Sequence, residues 1–341
     1  MRGRVLPRGF PTRREALRIL GVSVAAAGAW AARRHGIGRA VPLTRSRLLM
    51  GTGITLTVVG TDRDAAAAAA DATLAEMDRL EALLSAYRPD SQVSQLNASG
   101  RVAHPDPALL EVLRLAARLS ALGDGAFDLT VQPILDLYQP AHGPRAALPA
   151  PATVEAARAR VDYHGVRAEP AAATLAHPGM RITVDGIAKG HVIDRGVAVL
   201  RARGFDNVLV DVGGDILAGG ERAPGQPWRI GLRNPRPGAA LLGRFEASNR
   251  AIATSGDYLH SFTPDYSLHH IVDPRTGYSP PELASATVIA PDAATADALS
   301  TLTLVLGARR SRELVEALPG CEGCFVGKDL RVTRTTGFLL A

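Results

Sequence analysis

The order of strand-forming and helical segments is the feature that most constrains how this chain can fold. Apolar residues recur at helical spacing over residues 64–84, 107–122 and 293–306. Strand patterns fall between and around these helices, at residues 54–58, 181–184, 207–212, 228–232 and 284–289. The two kinds of segment alternate irregularly and several hairpin signals separate them. We therefore predict an α+β fold and not a doubly wound parallel sheet.

The first 47 residues differ in charge from the rest of the chain. They contain eleven Arg, no Lys and one acidic residue, Glu15, whereas the whole chain has a formal net charge of +6. The remainder is therefore mildly acidic, and we expect no nucleic acid partner.

This basic segment has the pattern of an export signal. Thr12-Arg13-Arg14-Glu15-Ala16-Leu17 resembles a twin-arginine motif, and an apolar stretch follows at residues 19–32. That stretch is shorter than the roughly 20 residues that a helix needs to cross a bilayer. We predict a twin-arginine-type signal and linker over residues 1–47, a periplasmic protein, and tethering to the inner membrane if the signal is not cleaved. The alternative is a disordered basic tail.

Histidine, acidic and hydroxyl side chains cluster around a stiff turn in the C-terminal half. The run from Leu268 to Gly277 contains His269, His270 and Asp273-Pro274, and residues 253–257 precede it with Thr, Ser and Asp. Asp-Pro starts a turn and a later Gly supplies the positive φ angle that closes it. These residue types can hold a phosphorylated ligand beside a proton acceptor. The alternative is a histidine-rich surface loop.

A glycine turn lies between the strand predicted at residues 181–184 and a helix that we predict to run from the turn to about Arg203. It reads Asp185-Gly186-Ile187-Ala188-Lys189-Gly190, and its amides face a helix N-terminus, which suits an anionic phosphate. Lys189 is one of two lysines in the chain, so it is a candidate phosphate contact. A solvated turn lysine is the alternative.

Two oxygen ligands share one face of the last predicted long helix. Asp297 and Thr301 are four residues apart, so both point the same way. A carboxylate and a hydroxyl, with a main-chain carbonyl, suit Mg²⁺. The alternative is a helix cap or an exposed polar face.

The segment from Gly125 to Pro133 places Phe127 and Asp128 after a flexible Gly-Asp-Gly. With Met50 and Tyr87 it is a candidate wall of a pocket for a planar heteroaromatic ligand. The alternative is a packing corner.

Cys321 and Cys324 are the only cysteines, in a Cys-x-x-Cys arrangement. No second pair completes a zinc site, so we expect a local disulfide or two idle thiols.

Taken together, these segments resemble the ApbE-type FAD:protein FMN transferases over residues 48–307. The segments that carry the resemblance are Met50-Gly51-Thr52, Ser85-Ala86-Tyr87 with Ser94-Gln95-Leu96-Asn97, Gly125-Ala126-Phe127-Asp128-Leu129-Thr130-Val131, Gly186-Ile187-Ala188-Lys189-Gly190 with Asp194, Gly213-Gly214-Asp215, Ala253-Thr254-Ser255-Gly256-Asp257, His270-Ile271-Val272-Asp273-Pro274-Arg275-Thr276-Gly277, and Ala296-Asp297 with Thr301. The glycine turn and the twin-arginine pattern are similar to the branch associated with nitrous oxide reductase maturation (NosX-like).

The resemblance implies a domain over residues 48–341 and a set of site residues. It implies an ApbE-like fold with mixed or antiparallel sheets, flanking helices and a ligand cleft between two sub-domains. The implied Mg²⁺ ligands are Asp297, Thr301 and Gly186, and the implied base is His270, oriented by Asp273 or a neighbouring carboxylate. The implied flavin contacts are Met50, Tyr87, Ala126, Phe127, Asp128, Thr183, Lys189 and Val272. This chain has Thr183 where many members have Asp, and Asp185 where they have the first glycine.

The activity that the resemblance implies is Mg²⁺-dependent transfer of FMN from FAD, the substrate, to a Thr or Ser hydroxyl of an acceptor flavoprotein, with release of AMP. The acceptor would be a nitrous oxide reductase regulator or a subunit of a redox membrane complex. Two alternatives stay open: a non-catalytic periplasmic FAD-binding carrier, and a maturation partner that acts through its surface.

Overall fold

The computed structural model describes residues 40–138, 149–238 and 241–340. The predicted twin-arginine motif and the apolar stretch after it lie outside the described residues, so the export signal stays a prediction. None of the helices within the described ranges is both long and apolar enough to span a lipid bilayer.

Thirteen strands and eight α-helices lie in the described ranges. The strands are β1 (Val41–Leu49), β2 (Thr52–Gly60), β3 (Arg101–Ala103), β4 (Val166–Glu169), β5 (Ala172–Leu175), β6 (Val208–Val212), β7 (Asp215–Gly219), β8 (Trp228–Leu232), β9 (Gly243–Ala247), β10 (Arg250–Gly256), β11 (Leu283–Ala290), β12 (Glu322–Gly327) and β13 (Val332–Arg334). The helices are α1 (Arg63–Leu84), α2 (Gln92–Ser99), α3 (Pro107–Leu122), α4 (Gln132–Tyr138), α5 (Pro151–Arg158), α6 (Ala188–Arg201), α7 (Ala293–Leu306) and α8 (Ala308–Glu316).

The main element of the fold is a sheet of eight strands in the order β1-β2-β6-β7-β10-β11-β12-β13. Its neighbouring strands pair antiparallel, as do those of two smaller sheets, β3-β5-β4 and β8-β9. The predicted α+β class, with antiparallel sheets and flanking helices, is confirmed. Strand β1 begins at Val41, so residues 41–47, which were assigned to the linker above, belong to the sheet.

Both faces of the large sheet are covered by apolar residues. Successive side chains of a strand point to opposite sides, so neighbouring residues of one strand belong to different apolar clusters. Leu217, Ala251 and Ala253 face the cluster that also contains helices α1, α6 and α7. Their neighbours Ile216 and Ile252 face a second cluster, built with the β8-β9 hairpin and Phe338. Each face therefore buries its own apolar layer, and β11, in the middle of the sheet, is buried almost throughout.

Helices α6 and α7 approach each other closely at Gly190. A Cβ atom at this position would lie 2.1 Å from the carbonyl oxygen of Ala293, so only glycine fits. One turn later, the carboxylate of Asp194 accepts hydrogen bonds from the amides of Ala293 and Ala294, at 2.8 and 2.9 Å. Helix α6 therefore caps the N-terminus of α7 and fixes where the α7 side chains point.

A second part of the fold, residues 101–183, carries the small β3-β5-β4 sheet and helices α3 to α5. The strand predicted at residues 181–184 is wrong: this segment is not part of a sheet. Its main chain bonds instead to the side chain of Asn97, which donates to Ile182 O at 2.8 Å and accepts from Ile182 N at 2.6 Å. A side-chain amide thus replaces the neighbouring strand that a ladder would need.

Candidate active site

The carboxylate of Asp297 lies at the contact between α6 and α7. One oxygen accepts a hydrogen bond from Lys189 Nζ at 3.2 Å, and the other accepts from the amide of Gly190 at 3.0 Å. The residue is buried. A buried carboxylate needs such partners, because an unpaired charge inside a protein is very unfavourable. The close packing at Gly190 is what brings the amide within reach of the acid.

Thr301 lies one turn along the same helix and faces the same region. Its hydroxyl is 3.1 Å from Ser255 Oγ, at the end of β10. A Cβ atom at Gly186 would lie 3.1 Å from Thr301 Oγ1 and 3.3 Å from the ring of Phe127. The structure therefore brings together the three predicted metal ligands. Gly186 contacts Thr301, and Asp297 precedes Thr301 by one turn of the same helix.

The negative charge of this region exceeds its positive charge. Lys189 Nζ lies 2.8 Å from Asp215 Oδ2 and 3.2 Å from Asp297 Oδ1, and Asp185 lies within the electrostatic reach of the same ammonium. Burial alone would lower the pKa of Lys189, but the two carboxylates raise it above its ordinary value. Burial, with Asp297 nearby, raises the pKa of the Asp215 carboxyl above its usual range. Three acids around one ammonium are a favourable environment for an added cation.

The oxygen donor set fits Mg²⁺, a hard cation that prefers carboxylate, hydroxyl and carbonyl ligands. Within the described ranges, no three His, Cys, Asp or Glu side chains are close enough to hold a metal ion together. The predicted site does not require them, because two of its three ligands are a hydroxyl and a main-chain oxygen. Binding of Mg²⁺ here stays a prediction.

His270 belongs to a hairpin formed by residues 258–270, which we call the histidine hairpin. Its two legs are joined by hydrogen bonds from His270 N to His260 O at 3.0 Å and from Phe262 N to Leu268 O at 2.8 Å. The His260 and His270 rings meet edge to face, with centroids 5.1 Å apart. Burial lowers the pKa of His270 to about 3, and His260, His269 and Lys189 act in the same direction. His270 is therefore a neutral imidazole at neutral pH.

Asp273 does not orient His270 in this structure, which corrects the predicted pairing. Its carboxylate accepts hydrogen bonds from Arg275, one from the amide and two from the guanidinium, at 2.8–2.9 Å. The reason is local: an Asp side chain readily bonds the amide two residues further on, and Arg275 then takes up the remaining oxygen. Whether Asp273 takes part in catalysis stays a prediction.

Two of the predicted flavin contacts border the glycine turn. Tyr87 is 76% exposed, and its hydroxyl lies 3.2 Å from Asp185 Oδ2. The nearby negative charge of Asp185 raises the pKa of this phenol to about 12. Phe127 is buried and contacts the position of Gly186. The site thus lies where the two parts of the fold meet, with Phe127 on one side and helix α7 on the other.

Other predicted flavin contacts are occupied by interactions within the protein. Asp128 accepts bonds from the Thr130 amide and hydroxyl and from the Tyr163 amide, so its carboxylate stabilises the turn. Ala126 is buried, and Val272 packs in a separate cluster with Ile134 and Tyr138.

Two more of the predicted flavin contacts, Met50 and Thr183, lie in or near turns. Met50 is in the β1-β2 turn, where its φ of 52° is uncommon for a residue other than glycine, and its amide donates to Glu81 Oε1 at 2.8 Å. Thr183 is buried, and its hydroxyl accepts from the Asp185 amide at 3.2 Å. Flavin contact by any of the eight residues stays a prediction.

Sequence reasoning missed several polar residues of the site. Asp215 was noted within a Gly-Gly-Asp turn but was not assigned a role, although it forms the shortest ion pair with Lys189. The hydroxyl of Ser255 lies 3.1 Å from that of Thr301 and 2.8 Å from that of Ser300, so Ser255 links the end of β10 to helix α7. A buried carboxylate directly after two turn glycines was the available signal for Asp215, and the 253–257 segment was the signal for Ser255, whereas nothing local marks Ser300.

Both cysteines are free and buried, which leaves the second of the two expectations, idle thiols. They lie in different apolar clusters, Cys321 with the helices and Cys324 on the opposite side of the sheet. Burial raises the pKa of the Cys324 thiol to about 11, so it is a poor nucleophile.

Comparison with known proteins gives a consistent result. The model of the ApbE family matches residues 50–325. The FAD:protein FMN transferase of Salmonella typhimurium is 32% identical over 283 residues, which cover 78% of this chain and 79% of the relative. That of Treponema pallidum is 32% identical over 327 residues and covers 89% and 90%. The crystal structure of the ApbE protein from Thermotoga maritima superposes with a TM-score of 0.78 at 29% identity, covering 87% of this chain and 97% of that one.

Proposed function

The chain belongs to the ApbE family, and on that premise we propose that it is an enzyme that transfers FMN from FAD to an acceptor protein. One observation carries the proposal for this chain: Asp297, Thr301, Gly186 and Lys189 gather at the contact of α6 with α7. A non-catalytic FAD carrier needs a flavin pocket, but it does not need this buried arrangement of acids and one ammonium.

The reaction that fits these residues is transfer to a hydroxyl group. A Thr or Ser oxygen of the acceptor forms a bond to the phosphorus on the FMN side of FAD, the bond from that phosphorus to the AMP oxygen breaks, and AMP leaves. His270 takes the proton of the hydroxyl. Its Nδ1 atom is buried and has no hydrogen-bond partner within the described ranges, so it is available as an acceptor.

The remaining residues bind and orient the diphosphate. The oxygens of Asp297, Thr301 and Gly186 would hold Mg²⁺, which when bound neutralises charge on the diphosphate oxygens. Lys189 keeps its positive charge between the two acids and is placed to attract a phosphate oxygen. Tyr87 and Phe127 border this region, and the exposed ring of Tyr87 offers aromatic surface to the flavin.

The test is direct transfer. The purified chain is incubated with FAD, MgCl₂ and an acceptor domain that carries a Thr or Ser target motif, and a denaturing gel is viewed under ultraviolet light. We expect fluorescence on the acceptor and none without MgCl₂. Fluorescence that stays with this chain and never reaches the acceptor would instead support the carrier. The same assay on candidate acceptors would identify the partner, including a nitrous oxide reductase regulator.

We propose a periplasmic location, on the basis of the twin-arginine pattern at residues 12–17. Cell fractionation that leaves the protein in the cytoplasm would contradict it.

The pH dependence of kcat/KM for transfer should lack the acid limb of an ordinary histidine. The base is active when neutral, and the pKa of His270 is lowered to about 3, so the active form persists as the pH falls. We expect His270 to add no inflection from about pH 8 to about pH 5, where an unperturbed imidazole with a pKa of about 6.5 would already be protonated. An inflection from the Asp215 carboxyl, whose pKa is raised to about 7, is identified because it persists in the residual activity of His270→Ala. The test is the initial rate of FMN transfer to one acceptor, measured over this pH range. An inflection at about pH 6.5 that disappears in His270→Ala would contradict the low pKa of His270.

A further inference from the structure

Arg236 is bound to a carboxylate that is completely removed from solvent. Its guanidinium donates to both oxygens of Asp257, at 2.8 and 3.0 Å, and Asp257 is 0% exposed. Lys328, the second lysine of the chain, lies 3.9 Å from the same carboxylate. Asp257 directly follows β10, two residues after Ser255, which contacts Thr301. This ion pair is therefore fixed to the strand that supports the proposed metal site.

The same two cations hold the tip of the histidine hairpin. The guanidinium carbon of Arg236 lies 4.5 Å from the centroid of the Tyr266 ring, a distance typical of cation–π contacts. Lys328 Nζ donates to the carbonyl oxygen of Tyr266 at 2.9 Å. Tyr266 has a φ of 61°, in the left-handed region that side chains other than glycine rarely adopt. Contacts to both its ring and its carbonyl keep it in that conformation.

The hairpin transmits this fixed position to His270. From Tyr266 its two legs run back in register, through the bond from Phe262 to Leu268 and the bond from His270 to His260. The guanidinium of Arg236 thus contacts both Asp257, before the hairpin, and Tyr266, at its tip. We call this pair of contacts the clamp. A rotation of the hairpin relative to β10 would have to break the bidentate pair or the ring contact.

We propose that Arg236 is a positioning residue, which fixes the histidine hairpin relative to the end of β10 so that His270 faces the diphosphate. Lys328 contributes the second contact at Tyr266. The inference rests on the proposed function, because Arg236 acts through His270 and not on the substrate. The competing explanation is that the ion pair only stabilises the fold.

Three variants separate positioning from stability. Arg236→Met leaves Asp257 buried without its partner, so it is expected to lower the melting temperature as well as the transfer rate. The double variant Arg236→Met with Asp257→Asn removes both charges, and Tyr266→Leu removes only the ring contact. Arg229→Met is the matched control, because Arg229 is exposed on β8 and lies 3.6 Å from Glu246.

We expect the double variant and Tyr266→Leu to melt close to the wild-type temperature and to keep the wild-type KM for FAD. Their kcat for transfer should fall about 10- to 100-fold, the range over which a small misplacement of a reacting group acts. Arg229→Met should behave as wild type. If the double variant and Tyr266→Leu transfer FMN at the wild-type rate, the positioning role is refuted and the pair only stabilises the fold.

A readout that is independent of activity separates this inference from the proposed function. The hairpin contains Tyr258, Phe262 and Tyr266, all sites for chymotrypsin. We expect the native double variant to be cleaved within residues 258–270 faster than wild type, whereas Arg229→Met is not. Equal cleavage rates would overturn the clamp. If the wild-type chain transfers no FMN but is cleaved more slowly than the double variant, the proposed function is refuted and the clamp itself remains supported.

Discussion

Replacing Asp297 with alanine should abolish FMN transfer and weaken the binding of FAD. The variant removes a carboxylate that we propose as a ligand of Mg²⁺, and stabilisation of charge by a metal ion is worth several kcal/mol in a transition state. A loss of about 4 kcal/mol corresponds to about 10³-fold in rate. The measurement is the initial rate of acceptor fluorescence over a MgCl₂ titration, together with the affinity for FAD.

Asp292→Ala is the matched control for this variant. Asp292 is the N-cap of the same helix and accepts from the Thr295 amide at 2.8 Å, so its loss also weakens α7, by about 1 kcal/mol. Within the part of the chain that the structure describes, its carboxylate forms no hydrogen bond or ion pair with Lys189 or Gly190. Loss of transfer in both variants would indicate that helix stability is what matters. Transfer at the wild-type rate by Asp297→Ala would refute the metal assignment.

Replacing His270 with alanine should slow transfer by about 10²- to 10⁴-fold and leave FAD binding nearly unchanged. This is the usual contribution of a general base that acts on a hydroxyl proton. The residues that we propose to hold the diphosphate include Lys189 on α6 and Asp297 and Thr301 on α7, so most of the affinity for FAD should not depend on the imidazole. Single-turnover transfer and FAD fluorescence quenching measure the two quantities separately.

Two further histidine variants make this result specific. His177 is exposed and 3.9 Å from Asp162, so His177→Ala should transfer at the wild-type rate. His260 contacts His270 edge to face, and it is the nearest other imidazole that could accept the proton. If His270→Ala transfers at the wild-type rate and His260→Ala loses most of its activity, His260 and not His270 is the general base.

Helix positions were the part of the fold that the sequence predicted best. Helices α3 and α7 begin and end at the predicted residues, and α1 begins one position earlier. Each has a long apolar stripe and a capping Asp at its start, and both signals are local in sequence. Helix α2 is not among the predicted helices, because it is short and polar and its Ser91 cap is followed by few apolar residues.

Strand pairing and side-chain partners were harder to predict. The segment at 181–184 has a strand pattern, but its main chain bonds to Asn97, which lies far away in the sequence. The partner of Arg236 is 21 positions away, and the contact of Lys189 with Asp215 joins helix α6 to strand β7, with strand β6 between them in the sequence. No periodicity encodes such a pairing.

The sequence by itself determined the α+β class, the helical face that Asp297 and Thr301 share, and the resemblance to the family, because caps, apolar periods and short motifs depend on neighbouring residues. Only the tertiary structure decided which charged groups meet. It placed Asp215 on Lys189, turned Asp273 towards Arg275 and fixed the histidine hairpin through Arg236. A buried charge takes the partner that packing brings within about 3 Å, and that distance is set by how whole elements fit together.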